Sequence, residues 1–272
     1  MTGLPGDAPS GPALVHSDAF RARRNVQAGT TRSGALAQHL ENILQLADGR
    51  TVLMPSFNYD FARTHRYDVK HDPSQVGPIT EAFRQSAAAR GATPIFNLSS
   101  SLPGWHFPIG QGDLDENAVT DPFAPSSELG RLIDLDGSIL FYGALFHPTI
   151  VHVTERAASV PYRFEKRLHG RVVEGSRASD VTLSLHVFPR GLTDISLAYD
   201  WGRLAREARS EGVLRDITDS HAMMWAPARA LHDFWLGVLA EDPLGLLEPK
   251  SRRWTEVQLE SLGRPFLQGD FE

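Results

Sequence analysis

The chain has 272 residues, of which 41% are hydrophobic and 22% charged, with a net charge of −6 and no cysteine. That length sustains a sizeable core in one large domain or two small ones. The mildly acidic balance gives no electrostatic footprint for nucleic acid or an anionic membrane. Without cysteine there are no disulfides, thiolate zinc sites or cysteine nucleophiles, which also fits a reducing cytoplasm.

Taken in chain order, residues 1–12 are rich in Gly and Pro and carry no signal-peptide pattern, so a disordered tail is expected. ALVHS (13–17) reads as a short strand. Leu36, Leu40, Ile43, Leu44 and Ala47 recur at helical spacing, and Asp48-Gly49 closes that helix. TVLMPSF (51–57) reads as a buried strand ended by Pro55. Residues 58–76 form a long polar loop, and loops of that length in a compact domain are usually functional or disordered. A helix is expected from Pro78 to Ala89 with its proline in the first turn. TPIFNLSS (93–100) reads as extended, 126–134 as a short helix, and SILFYGAL (138–145) as the most strand-like run. A helix over Thr149–Ala158 follows. VTLSLHVFP (181–189) alternates strictly, as a half-exposed strand does. Residues 200–212 and 226–242 read as amphipathic helices. Strand–helix alternation predicts an α/β fold with a mixed, partly parallel central sheet flanked by helices. The expected organisation is a single domain over 13–250 and a C-terminal extension over 251–272. No apolar run reaches the ~18 residues of a membrane span, so a cytoplasmic protein is expected.

Three constellations could carry chemistry. His152 and Glu155, at i and i+3, share a helix face behind the 138–145 strand. That strand leads to the sheet edge where ligands of open α/β folds bind. A first-turn histidine is favoured as neutral, basic imidazole, and a carboxylate one turn on can fix its tautomer. The plainer alternative is a histidine beside a salt bridge from Glu155 to Arg156 or Arg163. Second, GTTRSG (29–34) precedes a helix; Thr31, Arg32, Ser33 and Gly34 suit an anion such as a pyrophosphate, or simply an N-cap by Thr31 or Ser33. There is no Walker loop and no GxGxxG. Third, the 58–74 loop holds Asp60, His65, Asp68, His71 and Asp72. Their spacing matches no metal-ligand pattern and cations are interleaved, so no metal is expected. A cationic or polyhydroxylated substrate is the better match, with Tyr59 and Asp60 nearest the strand end and Asp72 further along. No GxSxG elbow supports a serine hydrolase.

In order, these segments resemble the aminoglycoside 3-N-acetyltransferase family. VHSDAF (15–20) is similar to the family's opening VHSS. GRTVLMPSFNYDF (49–61) resembles its G-T-L-V-M-P-T-F-T-Y stretch, and HDPSQVGPITEAFRQ (71–85) its x-P-S-x-V-G-x-L-x-E-x-F-R. DPFAPSSELGRLIDLDGSILFYGA (121–144) resembles a Phe-Gly-Pro-Gly-Ser-Pro helix with the strand after it. PTIVHVTE (148–155) matches N-T-S-L-H-L-A-E at Thr149, His152 and Glu155.

The resemblance implies coenzyme A-dependent acyl transfer to an amine on a fold unlike the common acetyltransferase fold. His152 would be the general base and Glu155 would orient it or hold the amine. Ser17, Thr31, Arg32, Ser33 and Gly34 would hold coenzyme A, with Ser127 in place of the Gly-Ser-Pro serine. Acetyl-coenzyme A is the implied donor, and the implied partner is a small-molecule amine, with a homodimer compatible. Departures are Thr93-Pro94-Ile95-Phe96-Asn97 where resistance enzymes carry His-Pro-x-His-Ser, Ala124-Pro125 for Gly-Pro, Glu128 for the usual proline, and Pro148 for Asn. The Thr93–Asn97 stretch resembles that of relatives from polysaccharide and natural-product clusters. The expected acceptor is therefore an amino sugar, and a nucleotide-linked one suits the alternation of cations and carboxylates in the 58–74 loop. An aminoglycoside antibiotic is the alternative, and a non-catalytic sugar-binding member of the fold the second.

Overall fold

The computed structural model describes residues 3–103, 119–189, 197–217 and 223–271. The chain opens with strand β1 (Ala13–Ser17), helix α1 (Arg32–Ala47) and strand β2 (Val52–Pro55). Then come α2 (Phe61–Thr64), β3 (Arg66–Asp68), α3 (Pro78–Ser86), β4 (Ala89–Arg90), β5 (Leu98–Ser100) and β6 (Val119–Thr120). Helix α4 (Glu128–Asp134), strand β7 (Ser138–Tyr142) and helix α5 (Val151–Ala157) follow. The remainder is β8 (Phe164–Glu174), β9 (Arg177–Val187), α6 (Trp201–Ser210), β10 (Arg215–Asp216), β11 (Met223–Pro227), α7 (Ala228–Glu241) and α8 (Pro249–Leu262).

The central sheet has the order β10-β11-β7-β1-β2-β5-β4. β1 is parallel to both β2 and β7, and the outer pairings are antiparallel. This is the mixed, partly parallel α/β architecture expected from the sequence. The period-2 alternation of its middle strands divides the core. Leu14, Leu53, Ile139 and Phe141 face one way, onto Val151, Val153, Leu231 and Trp235. Ala13, Val15, Val52, Met54, Leu140 and Tyr142 face the other, onto Ile43, Leu46, Ile79 and Phe83. Helices thus cover both faces, and each large apolar side chain fully buried there contributes about 1.5–3 kcal/mol.

A second sheet, β3-β8-β9-β6, is built around the hairpin of the two 11-residue strands β8 and β9. Phe61, Tyr67, Val172 and Leu183 make its small core. Of the two long strands only β9 is legible in the sequence: along β8 just Phe164 and Val172 are buried, so its polar pattern hides it. β8 in turn recruits part of the expected 58–76 loop, because β3 pairs with Arg171–Val173. Two further expectations differ. Residues 3–12 are packed rather than disordered: the Leu4 N–H donates to Leu46 O, the Arg50 Nε to Pro9 O, and Leu4 and Ala8 are buried. At the other end Phe266 joins the main core and Phe271 stacks on Phe164, so the C-terminal residues dock onto the body of the protein.

β7, β1 and β2 run parallel side by side, so their carboxyl ends share one edge. Three segments leave from it: 143–150 into α5, 18–31 into α1, and 56–60 into the polar loop. Sheet edges of this kind are where ligands bind in open α/β folds.

Candidate active site

His152 is the second residue of α5 and Glu155 lies one turn on, both expected from sequence. His152 Nδ1 is 3.0 Å from Glu155 Oε2. The Glu155 side chain is fully buried while that of His152 keeps 22% exposure. The salt-bridge alternative also proves true in part: Arg163 Nε lies 2.7 Å from Glu155 Oε2, a charge contact outside hydrogen-bond geometry. It is no surface pair, since Arg163 is buried, its guanidinium 3.7 Å above the Phe188 ring. Arg156 goes elsewhere, to Asp121 and Glu165.

Hydroxyl and guanidinium donors converge on the carboxylate. Tyr162 OH donates to Glu155 Oε1 at 3.0 Å, and Tyr199 OH to Oε2 at 2.8 Å. Arg163 Nη2 donates to Tyr199 OH at 2.5 Å and Nη1 to the His186 carbonyl at 2.6 Å. Burial alone would raise the Glu155 pKa, but the Arg163 charge and the His152 and Tyr199 hydrogen bonds outweigh it and hold the group at about 2. Glu155 is therefore an anion at neutral pH.

That anion decides the histidine tautomer. Nδ1 also has Arg163 Nη2 at 3.2 Å and Tyr199 OH at 3.3 Å. Arg163 Nη2 gives one of its two hydrogens to Tyr199 OH at 2.5 Å, the single Tyr199 proton goes to Glu155, and the Glu155 contact to Nδ1, at 3.0 Å, is the shortest of the three. An ionised carboxylate only accepts, so Nδ1 carries the proton and donates it to Glu155 Oε2, which puts the basic lone pair on Nε2. The arrangement is a base oriented by a buried carboxylate, itself fixed by a buried cation and two phenols. The sequence does not single out Arg163, Tyr162 or Tyr199 as working residues. It offers Arg163 only as a salt-bridge partner, and Tyr199 is 44 residues from Glu155, so only folding brings it in.

An aromatic wall joins this cluster to the start of the polar loop. The Phe123 ring lies 5.0 Å from His152, Phe96 4.6 Å from Phe123, and Tyr59 6.5 Å from Phe96. Tyr59 is half-exposed, as a ligand-binding ring requires. The loop charges behave otherwise than expected. Asp60 Oδ1 accepts from Arg63 at 3.1 Å and Oδ2 from Gln75 at 3.0 Å. Asp68 accepts from Arg66, His71 and two backbone N–H groups, and burial notwithstanding these hold it at about 2. Asp72 Oδ2 accepts from the Asp68 N–H at 2.7 Å. Asp72 therefore helps to pin the loop through this oxygen. The loop's two signs largely neutralise each other within the loop.

The residues expected to hold coenzyme A divide. Ser17 ends β1, and its Oγ is buried with no hydrogen-bond partner among the described residues, an atom that a bound group at the sheet edge would satisfy. Thr31 is the N-cap of α1, accepting from the Gly34 N–H at 3.3 Å, with Ser33 Oγ 3.4 Å away; Arg32 is exposed beside it. Ser127 is buried as the N-cap of α4, accepting from the Gly130 N–H at 3.1 Å. Its hydroxyl is thus a helix cap next to the buried Glu128 carboxyl, a poor neighbour for a phosphate, which argues against its expected coenzyme A role.

No curated protein sequence matches the chain. Solved structures match it in fold. The AAC(3)-IVa apoenzyme superposes with a TM-score of 0.66 at 22% identity, covering 92% of each chain. AAC-IIIb in binary complex with CoASH gives 0.63 at 19% identity, over 87% of this chain and 92% of that one. A histidine-to-alanine mutant of AAC(3)-IVa in complex with a gentamicin gives 0.63 at 21% identity, covering 92% of each. The sequence profile of the aminoglycoside 3-N-acetyltransferases matches residues 14–239, and the chain belongs to that family.

Proposed function

We propose that the protein transfers an acetyl or other short acyl group from coenzyme A to a primary amine of an amino sugar, with an aminoglycoside as the acceptor class. The observation that carries this is the His152–Glu155 pair at 3.0 Å, its carboxylate ionised and locked by Arg163, at the carboxyl edge of the parallel strands. The amine nitrogen attacks the thioester carbonyl carbon, the C–S bond breaks, and the thiolate leaves. His152 Nε2 takes the N–H proton and returns it to the departing sulfur, so the base is regenerated. Glu155 stabilises the imidazolium formed in between. Nothing in this sequence of steps calls for a metal.

The CoASH held by AAC-IIIb supports the donor. In this chain the unpartnered Ser17 Oγ, the α1 amino end and Arg32 are the groups suited to it. The gentamicin complex of AAC(3)-IVa supports the acceptor class. So do the partly exposed rings of Tyr59 and Phe96, whose faces suit sugar rings and ammonium groups. The expectation of a nucleotide-linked sugar rested on loop cations meeting a phosphate, and Arg63 and Arg66 are instead paired to Asp60 and Asp68.

Thiol release from acetyl-coenzyme A, with aminoglycosides and nucleotide-linked amino sugars in parallel, tests the reading. Release with the aminoglycosides is expected. Release with the nucleotide-linked sugars alone would move the acceptor, and release with no amine would leave a non-catalytic sugar binder. Independently, millimolar coenzyme A should raise Tm by mass action, and Arg32→Ala should reduce that rise without unfolding the protein.

A further inference from the structure

A cavity of about 280 Å³ lies behind the aromatic wall, roofed by the segment that leads into α4. Thr93, Phe96, Thr120, Asp121, Ser126 and Glu128 are among its lining residues. The lining thus offers hydroxyls, an aromatic face and two carboxyls. Among the described residues it includes no Lys, Arg or His. One of the two carboxyls is already used, since Asp121 accepts from Arg156 Nε at 2.9 Å. Glu128 is different. The residue is 6% exposed, and its Oε1 is buried without a hydrogen-bond partner among the described residues. Burial pushes this carboxyl well above its ordinary range, against a weaker opposing pull from Arg131. A buried, unsatisfied carboxyl is costly to a folded protein and calls for an explanation, of which a ligand that completes it is one. Nothing in the mechanism above uses Glu128. Phe96 lines the cavity and packs on Phe123, which in turn packs on His152, so the cavity adjoins the base through these two rings.

We infer that Glu128 is a specificity-determining residue of the acceptor site, which receives a second ammonium group of a polycationic amino sugar while another of its amines meets His152. The inference rests on the reading of the protein as an amino-sugar acyltransferase and names what distinguishes its acceptor. An anionic ligand does not fit a lining with a buried carboxyl and no cation. A neutral sugar brings no counter-charge to ionise and pair this carboxyl. An ammonium pairs with the carboxyl as its counter-charge, and the hydroxyls of Thr93, Thr120 and Ser126 suit the ring that carries it. The cavity, just below the common ~300–1,000 Å³ range of ligand pockets, suits one ring of such a molecule rather than the whole.

The test is calorimetric titration of the full chain with gentamicin, without acetyl-coenzyme A, comparing wild type with Glu128→Gln. The variant should bind about 10–100-fold more weakly, the range expected for losing one charge-assisted hydrogen bond. In turnover assays KM for gentamicin should rise by a similar factor and kcat should change much less. Because the substitution removes an unpaired buried carboxyl, Tm of the ligand-free protein should hold or rise. Should the glutamine variant fail to fold, Glu128→Asp and Glu128→Ala replace it: the aspartate, which keeps the charge, should retain more affinity than the alanine, and equal affinity of the two overturns the assignment. Equal affinity of wild type and variant overturns the assignment, as does a wild type that acetylates some other amine but does not bind gentamicin. A wild type that binds gentamicin tightly through Glu128 yet releases no thiol leaves the assignment standing and ends the catalytic reading instead.

Discussion

His152→Ala is expected to lower turnover by the ~10²–10⁴-fold typical of a general base while leaving the protein folded. The expectation follows from the hydrogen bonds around the ring. With Glu155 ionised and its oxygen the shortest contact of Nδ1, the proton is assigned to Nδ1, and Nε2 is the atom that takes a proton from an amine. The side chain keeps 22% exposure, so its loss leaves no sealed void in the core. Glu155→Gln should act through the histidine: an amide can present its N–H to Nδ1, turn the tautomer over, and move the lone pair away from Nε2. Its signature is a fall in kcat with an altered pH profile and little change in KM. Turnover in His152→Ala near that of wild type would remove the histidine from the mechanism, and with it the reason for the buried carboxylate.

The second large effect is on stability. Arg163→Met should destabilise the protein by about 3–5 kcal/mol at neutral pH, the cost of stranding one member of a buried ion pair. Glu155 is fully buried, and Arg163 is its principal counter-charge. The pH dependence separates this from lost packing. The folded-state pKa of Glu155 is depressed from an ordinary 4.5 to about 2, so its contribution, roughly 3 kcal/mol, is complete above pH ~4.5 and is lost as pH falls through 2. In Arg163→Met the largest cause of that depression is removed. The stability gap between the two proteins should therefore be widest above pH ~4.5 and narrow as pH falls through 2, below which Glu155 is protonated in both. Denaturant unfolding at a series of pH values measures this gap, and a gap constant with pH would make Arg163 a packing residue only. His16 and His186 add to acid sensitivity at higher pH. Burial holds both at about 4, so the unfolded chain binds their protons first and stability begins to fall below ~6.5.

Much of this protein follows from short stretches of its sequence. The runs 13–17, 51–57 and 138–145 are apolar enough to be buried on both faces, and they became the three adjacent parallel strands. The helical spacing from Leu36 to Ala47 and the αL turn at Asp48 became α1 and its end. His152 and Glu155 are found by their i, i+3 spacing, which α5 preserves. These features are local. Periodicity, caps and turn residues act over a few positions, so a reader of the chain sees them before it folds.

What the tertiary structure alone decided is which charges are spent and which are not. The 58–74 loop reads as a mixed set of ligands, yet Asp60, Asp68 and Asp72 are satisfied by their own neighbours, in part because β8 captures the loop's middle as β3. Glu128 reads as an ordinary acidic residue opening a helix, and only the packing of the α4 segment over a cavity leaves its Oε1 without a partner among the described residues. Arg163 and Tyr199 acquire their roles because α5, the approach to β8 and the approach to α6 converge on one carboxylate. The state of a charge depends on what desolvates it and what lies opposite. Tyr199 reaches Glu155, and the segment before α4 closes over Glu128, only through the packing of the whole chain, about which sequence spacing carries no information.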